Sequence, residues 1–178
     1  MDVSQQGEDM SIAQLVKNTP IWVWVLLIFL LCRGIIALFD REMRPGRLFL
    51  LPVLFLIWGI YSVVHETYRP SLSLIMMLAG TLVGAVAGWM MWWSQPPLRR
   101  SATPGLVVRS GTPLTLGIII VAFSLKFILT SVPYLRPELG ETRAFCIIFG
   151  LLTGFVDGIF WGGTLRLFVP WYRKRSSA

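Results

Sequence analysis

The ionisable residues Arg33, Lys126 and Asp157 are set well inside long apolar runs of this chain. Charge at membrane depth is costly, so residues of this kind mark ion pathways, proton relays or internal ion pairs. Arg33 stands about two turns from one end of its run, and Lys126 about two turns from the end of another. Both stems are long enough to carry the charge to the nearer surface. Asp157 lies near the middle of its run, and its stem is too short for that. It is expected to form a structural ion pair with Arg33 or Lys126, to stay protonated away from water, or to couple proton or cation movement in a small transporter.

Other chemistry finds no foothold. The single histidine, His65, cannot supply paired haem ligation, and no His, Cys or carboxylate cluster has metal-ligand spacing. No phosphate-binding glycine loop follows a strand, and there is no nucleophile elbow. Cys32 and Cys146 lie inside apolar runs, about 14 Å apart in depth at the helical rise, too far for a disulfide within one chain. No catalytic residue, metal or cofactor is expected, and the chain reads as something other than an enzyme.

The elements that must position the three charges follow from composition. Hydrophobic residues make up 55% and charged residues 14% of the 178, with a mean hydropathy of +0.69. A soluble domain of this size cannot bury that much apolar surface. Five apolar runs, at about 20–39, 48–64, 72–93, 113–132 and 144–169, each approach the roughly 20 residues that cross a hydrocarbon core. They are apolar on every side, which fits helices and not the alternating strands of a membrane barrel. The sequence therefore predicts an all-α integral membrane protein. It has a polar segment at 1–19, one transmembrane domain of five helices at 20–169, and a basic tail at 170–178.

The flank Met1–Thr19 carries three acids and one base and precedes no small-residue cleavage site, unlike a secretory leader. Met10, followed by Ser11 and the approach to the first helix, is an alternative start. The net charge of +7 could suggest nucleic acid, but the basic residues sit in short gaps between apolar runs, where membrane topology places them. Arg41, Arg44, Arg47, Arg99, Arg100, Arg109, Arg173, Lys174 and Arg175 fall on one side. Lys17, Arg69, Arg136 and Arg143 fall on the other. The positive-inside bias then places the N-terminus outside and the C-terminus in the cytoplasm. Trp22, Trp24, Tyr68 and Tyr134 stand near the outer ends of runs, and Trp89, Trp92, Trp93, Trp171 and Tyr172 near the inner ends, as interfacial anchors do.

Two glycine stripes indicate where helices touch. Gly80, Gly84 and Gly88 recur every fourth residue in the third run, and Gly150, Gly154, Gly158 and Gly162 in the fifth. Residues four apart share a helix face, and small residues let backbones approach closely in lipid. The stripes are expected to form a tight helix contact, either with each other or with a second copy or another membrane protein. Asp157 falls at the stripe's edge, about 20° from Gly150, and should face the bundle interior. A faint duplication pairs the second and third runs with the fourth and fifth, setting Pro52 against Pro113 and His65 against Lys126.

The segment Asn18-Thr19-Pro20-Ile21-Trp22-Val23-Trp24 resembles the opening of a family of small bacterial inner-membrane proteins of unknown function, whose members start with a His-Thr-Pro-x-Trp-type helix. The likeness continues through Arg47 to Val53, Pro113 to Phe127 and Gly154 to Arg166. A more distant similarity is to the CcdC-like membrane proteins. The resemblance implies bacterial inner-membrane residence and attaches no activity. Three functional readings follow: a non-catalytic accessory or scaffold component, a small transporter or permease built on Asp157 with Arg33 or Lys126, and a membrane sensor or redox-maturation helper.

Overall fold

The computed structural model describes residues 21–103 and 105–176. The polar segment 1–19, Pro20 and the last two residues lie outside it, as do the side chains of Trp22, Tyr134, Arg173, Lys174 and Arg175. Among the described residues there are five long helices: α1 (Ile21–Ile36), α2 (Leu50–Glu66), α3 (Pro70–Met91), α4 (Pro113–Leu135) and α5 (Arg143–Ser176). A 3-10 turn, Pro45–Phe49, leads into α2, and a single helical turn, Pro137–Gly140, links α4 to α5.

Among the described residues, four helical segments are long and apolar enough to cross a membrane: Pro45–Glu66, Pro70–Met91, Pro113–Pro133 and Arg143–Tyr172. The first helix, α1, has 16 described residues. Prolines begin α3 and α4, where the missing N–H costs no hydrogen bond and the fixed φ suits a first turn. The second apolar run starts earlier than its hydropathy implies, at Pro45, because the 3-10 turn feeds directly into α2. The fifth runs on through Pro170 to Ser176, so most of the basic tail continues the helix.

The glycine stripes mesh with each other within this one chain. A Cβ on Gly80, Gly84 or Gly88 would collide with the backbone carbonyls of Leu151, Phe155 and Ile159 respectively. A Cβ on Gly150, Gly154, Gly158 or Gly162 would collide with those of Ser73, Met77, Thr81 and Ala85. Seven positions along two helices thus pack backbone on backbone, which only glycine permits. Away from the seam, α3 turns Leu78, Leu82 and Val86 outward, each more than 60% exposed.

At the two arginine-rich gaps between helices the all-α expectation is corrected to a mostly helical fold with a small sheet. The gaps pair as a three-stranded antiparallel sheet of β1 (Arg41–Met43), β2 (Arg99–Arg100) and β3 (Val107–Arg109), in the order β1-β3-β2. The register sets Arg41 opposite Arg109, Glu42 opposite Val108 and Met43 opposite Val107. Met43 and Val107 point into a small core with Leu48, Trp92, Leu98 and Leu167. Trp92 is therefore a core residue and not the interfacial anchor expected; its ring fills the space left by Gly163. Trp89 and Trp93 lie against the guanidinium of Arg166, 5.6 and 5.0 Å from their ring centres. The sheet end is clipped to α1: Thr112 N–H donates to Ala37 O at 2.9 Å, and Gly111 N–H to Asp40 Oδ1 at 2.6 Å.

Candidate functional site: a buried ion pair

The seam fixes where Asp157 points. With Gly154 and Gly158 pressed on α3, the intervening Asp157 is turned toward the space that α2 and α4 enclose. Lys126 enters that space from α4, and its Nζ lies 3.5 Å from Asp157 Oδ1, with the two side chains 2% and 0% exposed. Lys126 Nζ also donates to Phe55 O at 3.4 Å. It stands 5.9 and 5.4 Å from the ring centres of Phe55 and Trp58, whose faces favour a cation.

Burial at this depth reverses the expectation that Lys126 reaches for the nearer surface. A charge removed from water is tolerated when an opposite charge is at hand, and leaving one member alone is strongly unfavourable. The separation is longer than the 2.7–2.9 Å of a strong charge-assisted bond. It is an ion pair without hydrogen-bond geometry, and both carboxylate oxygens of Asp157 lack a hydrogen bond.

Arg33, the other expected partner, is elsewhere. It sits in the last turn of α1, near enough to Arg41 and Arg109 for its charge to oppose both. The helical position explains this: Arg33 lies in the last turn of α1, which is clipped to the sheet end.

Gly59 is the residue that sequence reasoning passed over. It is a lone glycine in α2, and an added Cβ would stand 2.5 Å from Asp157 Oδ2, 2.9 Å from Lys126 Nζ and 3.0 Å from the Met77 methyl. The space holding the ion pair exists because this side chain is absent. Gly59, Ser62 and Glu66 follow at i, i+3 and i+7, one face of an otherwise apolar helix. That spacing was the available signal. Ser62 and Ser73 are buried with hydroxyls that have no partner, as is Glu66 Oε2, and Thr153 is buried one turn before Asp157. These groups form a polar column from the pair toward the C-terminal end of α2.

His65 and Lys126, matched in the expected duplication, have unlike surroundings: His65 is exposed against the ring of Tyr61, and Lys126 is buried. Cys32 is exposed and Cys146 buried, and both are free thiols. Among the described residues no three His, Cys, Asp or Glu side chains gather as a metal site would require. A cavity of about 60 Å³ between α1 and α4 is lined by Leu27, Leu30, Ile119 and Phe123, with Ser124 at its wall. It is far below the roughly 300–1,000 Å³ of ligand pockets.

Comparison with known proteins agrees with the resemblance read from the sequence only at the level of an uncharacterised family. An uncharacterised protein of Pasteurella multocida (strain Pm70), PM0739, is 33% identical over 82 residues, which cover 46% of this chain and 61% of that protein. The match thus spans less than two thirds of the relative's length. No solved structure matches. A family model covers residues 1–177, and the chain belongs to that family, the family of unknown function DUF6622.

Proposed function

We propose that this chain is a multi-pass protein of the bacterial inner membrane, with five spans, the N-terminus outside and the C-terminus in the cytoplasm. In this reading it acts as a non-catalytic accessory or scaffold component. The observation that carries the reading is the sealed Lys126–Asp157 pair. The charges at membrane depth are spent on each other, inside a bundle whose seam is backbone on backbone. An ion pair of this kind holds helices in one arrangement, and buried polar groups are best attested in setting register.

Counting α1 as the fifth span is supported by its apolar run, which begins at Pro20 in the sequence. Its 16 described residues alone rise about 24 Å. The orientation is supported by the sheet, which gathers Arg41, Arg99, Arg100 and Arg109 at one end of the bundle. A partner or second copy binding through the glycine faces would have to displace the internal seam, so a partner surface is sought on the outward faces of the bundle.

The experiment has three parts. The chain should stay in alkaline-washed membranes. A reporter fused after Ala178 should be active in the cytoplasm. Affinity purification in mild detergent should bring down a membrane-protein partner at fixed stoichiometry while reconstituted vesicles show no proton flux. The second reading, a small transporter using Asp157 with Lys126, is favoured by the polar column of Ser62, Ser73 and Glu66. A proton flux that vanishes in Asp157→Asn would establish it and displace the first.

A further inference from the structure

We propose that Arg33, Arg41 and Arg109 form a binding site for a phosphate group, carried by a lipid headgroup or free, at the sheet end of the bundle. Directly opposed residues of antiparallel strands point to the same face, so the β1–β3 register sets the Arg41 and Arg109 side chains beside each other. Like charges so placed repel. Arg33 lies in the last turn of α1, just before the Ala37 and Asp40 groups that bind the chain following β3, and adds a third positive charge that opposes both.

None of the three has an ion pair among the described residues. The two nearby acids are committed otherwise: Asp40 accepts from Gly111 N–H, and Glu42, on the opposite face of β1, accepts from Ser101 Oγ at 2.6 Å. Arg41 Nε and Nη1 are buried and have no hydrogen-bond partner. Arg109 is oriented by donating through Nη2 to Thr115 Oγ1 at 3.1 Å. Burial, then the charges of Arg41 and Arg33, push its guanidinium down to about 10. It is still fully charged at neutral pH.

Water can satisfy the loose donors but cannot balance three like charges. A tetrahedral oxyanion does both, since guanidinium groups donate in planar pairs matched to phosphate oxygens. Ile35, Ile36 and Phe39, all about half exposed or more, stand between Arg33 and Arg41 in the chain. Acyl chains would cover them, which favours the lipid as the source. That part rests on the membrane-spanning reading.

The test uses the full chain purified in a neutral detergent without phosphate, with binding read by thermal-shift titration. The probes are phosphatidylglycerol, a glucosyl diacylglycerol with the same chains but no phosphate, and inorganic phosphate against chloride at equal ionic strength. Phosphatidylglycerol should bind, and the glycolipid should not. Arg41→Gln with Arg109→Gln should weaken binding about tenfold or more, whereas Arg44→Gln with Arg47→Gln, which removes as much charge from the same end, should leave it within about twofold. Should the first pair fail to fold, Arg41→Gln alone removes the partnerless donors and should weaken binding about fivefold.

Inorganic phosphate as effective as the lipid identifies the free ion as the ligand, and a much weaker response identifies the headgroup. Equal binding of both lipids with no response to phosphate overturns the proposal. So does unchanged affinity in the Arg41 variant, or an equal loss in the Arg44/Arg47 control. Retention in alkaline-washed membranes separates a failed site from a failed membrane-spanning reading.

Discussion

Lys126 and Asp157 lie 3.5 Å apart in the middle of the bundle and cancel each other. Arg33, Arg41 and Arg109 crowd one end, with no carboxylate paired to any of them among the described residues. Both clusters take charge out of bulk water, yet the chain supplies a counter-charge for only one. Under the membrane-spanning reading proposed above, the difference follows depth. At the centre of a bilayer nothing in the surroundings can neutralise a charge, so the partner must be built in. At headgroup level the surroundings are rich in anions, and basic residues there gain from them.

Four substitutions, two of them read beside a companion variant, break or sharpen this contrast. The largest effect is expected at the seam that aims Asp157. Gly154→Leu drives a side chain into the Met77 carbonyl, a backbone group that cannot yield. It should cost more than the roughly 1–3 kcal/mol of ordinary overpacking and abolish the monodisperse peak in detergent size-exclusion chromatography. Gly117→Ala, with open space around it, should keep that peak.

Next comes the pair itself. Lys126→Met alone strands Asp157 and should destabilise the bundle by roughly 3–5 kcal/mol. Combined with Asp157→Leu it should recover much of that loss in thermal melts. If the double variant is no better than the single, the pair is not what holds these helices. Gly59→Ala should be milder, about 1–3 kcal/mol, because its methyl group enters the space beside Asp157 Oδ2 and forces the pair to shift.

The smallest effect has the opposite sign. In neutral detergent without phosphate, Arg41→Gln relieves a like-charge cross-strand pair and should stabilise by about 0.2–1 kcal/mol. A destabilisation as large as that of Lys126→Met would mean the arginines are internally compensated, and the contrast would fail.

Much of this was legible beforehand for physical reasons. The apolar runs, their helical form and the glycine stripes are one-dimensional signals: lipid demands about 20 apolar residues per span, and a four-residue period makes a face wherever it falls. Asp157 could be assigned to the interior because it sits beside one of those faces. Gly59 left only a weak trace, the face it shares with Ser62 and Glu66, and its meaning appears only when α4 and α5 bring Lys126 and Asp157 against it. Trp92 was misread for a related cause. A tryptophan at a helix end is interfacial by default, and only the gap above Gly163 draws it inward.

The sequence by itself determined the number of long apolar runs, their helical periodicity and which faces are smooth, because each depends on residue type and local spacing alone. The tertiary structure decided that the two smooth faces meet each other, that Asp157 takes Lys126 and not Arg33, and that Arg41 stands across from Arg109. Those are pairings between segments tens of residues apart. Several partners satisfy the local rules for each, and only the packing of all the helices together leaves one.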